Sequence, residues 1–504
     1  MAKRLKSIKD NWLLLIISFL LLFIPLYPKF PLMAVSGTYV HIRLEDVFVA
    51  LAVGFWGISL ILKRDFSFLK NSVVKLILLF LGIGLISVLN AVFITKNIQP
   101  HIALLHLLRR LEYISLLFVS YYSIKNLNQI KVLGWTIFVA VWGVIIYGIG
   151  QKFFGWPVIS TMNKEFSKGM ILQLTWWARI NSTFAGHYDL AAFMAMILPL
   201  IATAIILVKK TFQKLIIFLL GIFSYYILLL TASRVSFGAF LIAVSFVLWF
   251  AKKKFWIIPF LALSILGMIF SDDLGQRYAA TFKIDLSFLS NKINVNKYLS
   301  QAQKTAAIPT PTQIPTQKPV APIAQKGTAK LPTSTPTPTP AEEKTATSSG
   351  KSYPDPETVY QATSRSTDIR LNVEWPRALR AFAKNPILGT GYSSITLATD
   401  NDYLRMLGEI GLLGTASFFA IFLEIGRRFF VFLSKNSVKE KEKMIIFGII
   451  GAAIAFFLNA TFIDIFEASK VAFFFWILMG TALKVVDLKI KQKENYNEFY
   501  KNEK

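Results

Sequence analysis

The sequence predicts an all-α polytopic membrane protein with about twelve transmembrane helices and one large outer loop late in the chain. Three observations carry that expectation. Of 504 residues, 54% are hydrophobic and only 16% charged, with a mean hydropathy of +0.53. Apolar runs repeatedly approach or exceed the roughly 18–20 residues that cross a bilayer as helix, and they are continuous rather than alternating, which excludes a closed β-barrel. The net charge of +27 comes from Lys and Arg in short tracts between alternate runs. That is the pattern of membrane orientation, not of a nucleic-acid partner.

The first run, 12–27, follows the basic start "MAKRLKSIKD" and lacks a small-residue cleavage site, so it reads as a retained anchor. The second and third, 44–62 and 72–94, flank "LKRDFSFLK". The fourth, 103–122, carries Arg109, Arg110 and Glu112 inside apolar sequence. Ionisable residues there are costly; they are candidates for function or for a local Arg–Glu pair. The fifth, 132–153, follows "KNLNQIK". The sixth and seventh, 186–208 and 213–231, are separated by "VKKTFQK", and the seventh meets the eighth, 234–250, in the tight turn "TASR". "AKKK" precedes the ninth, 255–271. The last three are 405–426, 444–465 and 469–486, the first two joined by "GRRFFVFLSKNSVKEKEK". An even count puts both termini on one side. The basic tracts make that side cytoplasmic, with 154–185, 232–234 and 272–404 outside. The chain thus divides into nine helices over 1–271, an extracytoplasmic loop over 272–404, three helices over 405–486 and a basic tail over 487–504. With no cysteine, it has no disulfide framework, thiolate nucleophile or cysteine metal site.

Within the long loop, residues 302–352 include "IPTPTQIPTQKPVAPIAQKGTAKLPTSTPTPTPAEEK". Such a Pro/Thr-rich tract cannot bury a core and reads as a disordered insert. Further on, Leu371, Val373, Trp375, Leu379 and Phe382 suit an amphipathic helix over about 365–385, lying over the outer face of the bundle. It ends before Pro386, since the residue preceding proline avoids the helical region.

Polar residues gather on the outer side. Arg179 and His187 precede or open the sixth span, Arg234 sits at the "TASR" turn, and Arg365, Asp368 and Arg370 lie in the loop. Asp400, Asn401 and Asp402 precede the tenth span. Each has a plainer reading. Arg179 follows two tryptophans as an interfacial anchor would, and Arg234 could snorkel to headgroups. Arg370 could solvate a helix face. Asp400 reads as a helix N-cap with Asp402 in the first turn, and His187 and Asp189 could cap the sixth helix. Their convergence favours a site for a doubly charged anion at the membrane surface. Arginine keeps its charge and grips phosphate oxygens in a fork. A lipid-linked diphosphate is such an anion. In glycosyl transfer it is the leaving group, and the acceptor hydroxyl needs a base within hydrogen-bond reach.

In order along roughly 175–465, the chain shows Arg179 followed by "STF", "TASR", "RLNVEWPRALRAFAKNPILGTGY" and "DNDYLRMLGEIGLLG". These motifs and the topology resemble the O-antigen ligase and polymerase family of membrane glycosyltransferases; the 302–352 tract looks like an insertion. The resemblance implies a GT-C-like helical bundle and transfer of a glycan from undecaprenyl diphosphate outside the cytoplasmic membrane, with no metal or cofactor. It implies that Arg179, Arg234 and Arg370 hold the diphosphate, with Arg234 and Asp400 at the chemistry. His187, Arg365, Asn401 and Asp402 are secondary, acceptor-side candidates. The family commonly has His where this chain has Asp400; Asp can accept a hydrogen bond from a sugar hydroxyl and, desolvated, act as a stronger base. Acceptors in range are a glycolipid, a glycoprotein or a cell-wall polymer. A ligase and a polymerase would share this donor site. A transporter or flippase is a third reading, but the two halves show no convincing repeat and the polar groups do not sit at mid-span.

Overall fold

The computed structural model describes residues 2–38, 41–64, 66–161, 165–175, 178–271, 274–278, 368–395 and 398–502. The expected insert at 302–352 and Arg365 lie outside the described residues. Every expected span falls on a helix. These are α1 (Ala2–Leu26), α2 (Leu44–Lys63), α3 (Ser72–Leu89), α4 (Pro100–Ser123), α5 (Gln129–Phe154), α6 (His187–Leu207), α7 (Thr211–Leu230), α8 (Arg234–Phe250) and α9 (Ile257–Ile269). After the long loop come the short α10 (Trp375–Lys384), then α11 (Asp402–Leu433), α12 (Glu440–Ala460) and α13 (Ser469–Asn502). Two small antiparallel pairs, Pro31–Met33 with Ile42–Arg43 and Val158–Ile159 with Ile171–Leu172, and a few short 3-10 or π turns accompany them.

Eight of these helices are long and apolar enough to cross a membrane: α2, α3, α5, α6, α7, α11, α12 and the first part of α13. The apolar part of α1, and α8 and α9, are shorter. Helix α4 is long and continuous, but Arg109, Arg110 and Glu112 interrupt its apolar sequence. Those three do not pair locally as one reading held. Arg109 approaches Asp46 at 4.0 Å and Arg110 pairs with Glu467, each on another element. Over the expected tail, α13 continues as helix through residue 502.

Burial ranks the helices. The most apolar windows of α13 and α6 are 83% and 67% buried inside the protein, against 22% for α7. The first two form the centre, and α7 turns most of its apolar surface outward, as a lipid-facing helix does. Helix α13 packs on α4, α12 on α6 and α8, and α11 on α3. At the α13–α4 crossing a side chain on Gly480 would stand 2.1 Å from the Leu117 carbonyl oxygen, so only glycine permits this approach.

One break positions the loop. Gly411 interrupts α11 with φ 64° and ψ −168°, a conformation favoured for glycine. The freed main-chain groups are taken up by "NPILGTGY". Leu412 and Leu413 N–H donate to the carbonyls of Pro386 (2.8 Å) and Ile387 (3.2 Å), while Thr390 and Gly391 N–H donate to those of Gly408 (2.9 Å) and Glu409 (2.8 Å). Ser87 Oγ of α3 reaches the Leu388 and Glu409 carbonyls. The two most recognisable stretches of sequence are thus one physical unit, a clasp around a broken helix.

Helix α10 packs on α11 through Ala378, close over Gly408. A π turn, Arg370–Glu374, leads into it, and it stops at Asn385 as expected. Its apolar residues are not all turned to the bundle. Leu371, Val373 and Leu379 are exposed, while Trp375 and Phe382 are half-buried and the Trp375 ring sits 6.2 Å from that of Phe462.

Candidate functional site

Several loops meet at one end of the bundle. Buried Lys29 bonds Glu45 at 2.8 Å and also contacts Ser469, and Lys470 Nζ donates to the carbonyls of Tyr27 (2.6 Å) and Thr183 (2.7 Å). The chain leaving α1, entering α6 and entering α13 is locked together there. The expected site residues rise from this frame.

Arg179 precedes α6, and its Nη1 lies 2.8 Å from Nε2 of His187, the first residue of that helix. Because arginine can only donate, the bond requires the neutral imidazole to accept through Nε2. Neither His187 nor Asp189 caps α6: the N-cap is Gly186, without a side-chain bond. His187 is engaged by Arg179, and the half-buried Asp189 lies within the field of Lys29 and Lys470. The His187 ring lies 4.1 Å from the next ring, Tyr188.

Arg234 opens α8 after a turn in which Ala232 takes φ 50°. Ser233 caps the helix by accepting from Ser236 N–H, and Ser236 Oγ reaches Asn459 Oδ1 at 2.6 Å. Tyr278 donates its hydroxyl to the Arg234 carbonyl at 2.6 Å. Burial raises that phenol to about 12, with Arg234 acting against the shift. Arg179, Arg370, Tyr188 and Tyr278 all lie within electrostatic reach of Arg234. Arg370 donates through Nε and Nη2 to Asp400 Oδ2 at 2.9 and 2.7 Å, and also bonds Tyr188. The structure therefore brings Arg179, Arg234 and Arg370, from three separate stretches, around Tyr188.

Asp400 is not the helix cap that its position suggests. It takes φ 49°, and the cap of α11 is Asn401, whose side chain accepts from Leu404 N–H at 3.0 Å. Freed from capping, the half-buried Asp400 carboxylate faces Arg370. Burial lifts it above its ordinary value; Arg370 opposes the shift and Asp464 adds to it. Asn401 and Asp402, expected on the acceptor side, are buried and occupied within the protein. Asp402 accepts from Ile465 and Phe466 N–H at 2.7 and 3.0 Å, so it holds the loop between α12 and α13 rather than its own helix end.

A second charged cluster lies close by. Arg405 bonds Asp464 at 3.0 Å and Glu409 at 3.4 Å, and Asp464 also accepts from Thr399 and Asn401 N–H. Arg405 and Glu409, with Arg110, Asp402, Glu467 and Tyr392, line a small cavity.

Sequence reasoning missed Tyr188, Glu374 and Asp464. Tyr188 adjoins a residue singled out on other grounds. Glu374 follows Arg370 by four positions, one helical turn, which is a readable signal. Asp464 sits in a turn far along the chain and carries no motif of its own. Burial pushes the Glu374 carboxyl up to about 7, and Asp400 adds to that while Arg370 opposes it. Among the described residues no group of three or more His, Asp or Glu is placed to hold a metal ion.

Chemically, three arginines set against two carboxylates form a donor-rich surface suited to an anion with several oxygens. Residues 218–419 match the family model described as O-antigen ligase, which bears out over that stretch the resemblance carried by the motifs. The matched segment holds Arg234, Arg370 and Asp400, and Arg179 and His187 precede it. A comparison with curated proteins finds no match.

Proposed function

We propose that the protein is a membrane glycosyltransferase of the O-antigen ligase type, moving a glycan from an undecaprenyl-diphosphate carrier to an acceptor hydroxyl. The reading places it in the cytoplasmic membrane with twelve spans, both termini cytoplasmic and the reaction on the outer face. The observation that carries it is the gathering of Arg179, Arg234 and Arg370 around Tyr188, with Asp400 held by two hydrogen bonds from Arg370.

In this mechanism the arginines bind the diphosphate and neutralise the charge that grows on it as the glycosidic C1–O bond breaks. Fixed donors aimed at developing charge commonly supply the largest single share of a rate enhancement, and here they take the place of a metal ion. Asp400 stands on the acceptor side, where a carboxylate can accept a hydrogen bond from the incoming hydroxyl. His187, locked on Arg179, keeps that guanidinium aimed.

The decisive comparison is of cells with and without the gene. Loss of attachment while carrier-linked polymer persists supports the ligase. Loss of the polymer ladder with single attached units remaining would replace it with a polymerase using the same donor. Turnover by purified protein in detergent, where no second compartment exists, excludes a transporter.

A further inference from the structure

The polar stripe of the loop helix continues beyond Arg370. Arg370, Glu374 and Arg377 follow one another through the π turn into α10, and Arg370 meets Asp400. Glu374 lies in the field of Asp400 and Asp464, on the segments before α11 and after α12, and of Arg370 and Arg377 on its own element. Yet Glu374 Oε2 and Arg377 Nη1 are both buried without a hydrogen-bond partner, and so is Thr399 Oγ1, next to Asp400. A buried acceptor, a buried donor and a buried hydroxyl left unmatched around one carboxylate are costly in a protein that gains nothing from them. A ligand presenting several hydroxyls would satisfy all three. The Asp400 oxygen nearest the loop helix is already bonded twice by Arg370, whereas the Glu374 oxygen has no such tie.

Building on the function proposed above, we propose that Glu374 takes the proton from the acceptor hydroxyl, and that Arg377 and Thr399 hold neighbouring oxygens of an acceptor that is itself a sugar. The acceptor oxygen bonds to C1 of the donor glycan. The C1–O bond to phosphate breaks, its electron pair leaving with the diphosphate. The hydroxyl proton passes to the Glu374 carboxylate and then to water. Asp400, fixed by Arg370, orients the hydroxyl. A carboxyl that titrates near neutrality is well matched to this task.

The test uses the purified full chain with a polyprenyl-diphosphate oligosaccharide as donor. Two acceptor probes are compared, an alkyl-anchored oligosaccharide and a Ser/Thr peptide, with release of polyprenyl diphosphate as readout. The sugar probe is used and the peptide is not. Glu374→Gln lowers kcat about 100-fold at unchanged donor KM. It also removes the rise in rate as pH increases through about 7, where the wild-type carboxyl loses its proton. Formate restores part of the rate to Glu374→Ala. Wild-type kcat and pH profile in Glu374→Gln would overturn the assignment of the base, and preference for the peptide would overturn the sugar acceptor. Failure of the wild-type chain to bind the donor would instead sink the underlying transferase reading.

Discussion

Two clusters of arginine and carboxylate stand near each other, one around Tyr188 and one around Arg405, and they are built to opposite ends. Around Arg405, carboxylates outnumber cations, but they are consumed inside the protein. Asp402, Asp464 and Glu409 accept main-chain N–H groups from the α12–α13 loop, from 399–401 and from Ser393 as well as facing Arg405. That cluster ties loops together. Around Tyr188, Arg179, Arg234 and Arg370 lie near one another with Asp400 and Glu374 beside Arg370, and the neighbouring Glu374, Arg377 and Thr399 keep unmatched buried atoms. Charge that is internally balanced builds a scaffold, and charge left in excess waits for a ligand.

Removing an arginine from each cluster separates the two most widely. Arg234→Ala or Arg179→Ala lowers transfer about 100-fold or more while thermal unfolding in detergent stays near wild type. Arg405→Ala does the reverse. It strands buried carboxylates and lowers stability by about 3–5 kcal/mol, seen as an earlier unfolding transition. Equal instability in Arg234→Ala and Arg405→Ala would erase the distinction between the two clusters. A smaller effect comes from Gly411→Ala. A left-handed backbone costs a side chain about 1–3 kcal/mol, and its Cβ would stand 2.3 Å from the Ile387 carbonyl oxygen. The expected result is lower stability together with lower transfer, since the clasp positions both α10 and Asp400. Asp400→Asn follows. It keeps the shape but loses the charge that pairs with Arg370, and it reduces transfer about tenfold, in line with a charge-assisted hydrogen bond worth about 1.5 kcal/mol. Smallest of all, deleting 302–352 leaves transfer unchanged, and an inactive deletion protein would show that the tract belongs to the working site.

The helices were legible because a span writes itself as an unbroken apolar run, and every expected span has its helix. Arg179, Arg234 and Arg370 were legible because each sits in a recognisable motif. Asp400 was misread by one position. Aspartate and asparagine both cap helices well, and nothing local shows that Asn401 takes the extended conformation of a cap while Asp400 turns left-handed. The cross-helix pairs of Arg109 with Asp46 and Arg110 with Glu467 were out of reach for another reason. Spacing along a chain reveals neighbours on the same helix, whereas these partners are brought together only by packing. Tyr188 and Asp464 share that difficulty.

The clasp at Gly411 has a consequence for how such a protein diversifies. It is fastened by main-chain atoms, from Pro386 to Gly391 on one side and Gly408 to Leu413 on the other. Exposed side chains such as Ile387 and Leu412 can therefore be exchanged without undoing it, while Gly389, Gly391, Gly408 and Gly411, where a side chain would collide with a neighbour, bear most of the constraint. New substrate preferences can be tried in the surrounding residues while the bend that aims them is inherited intact.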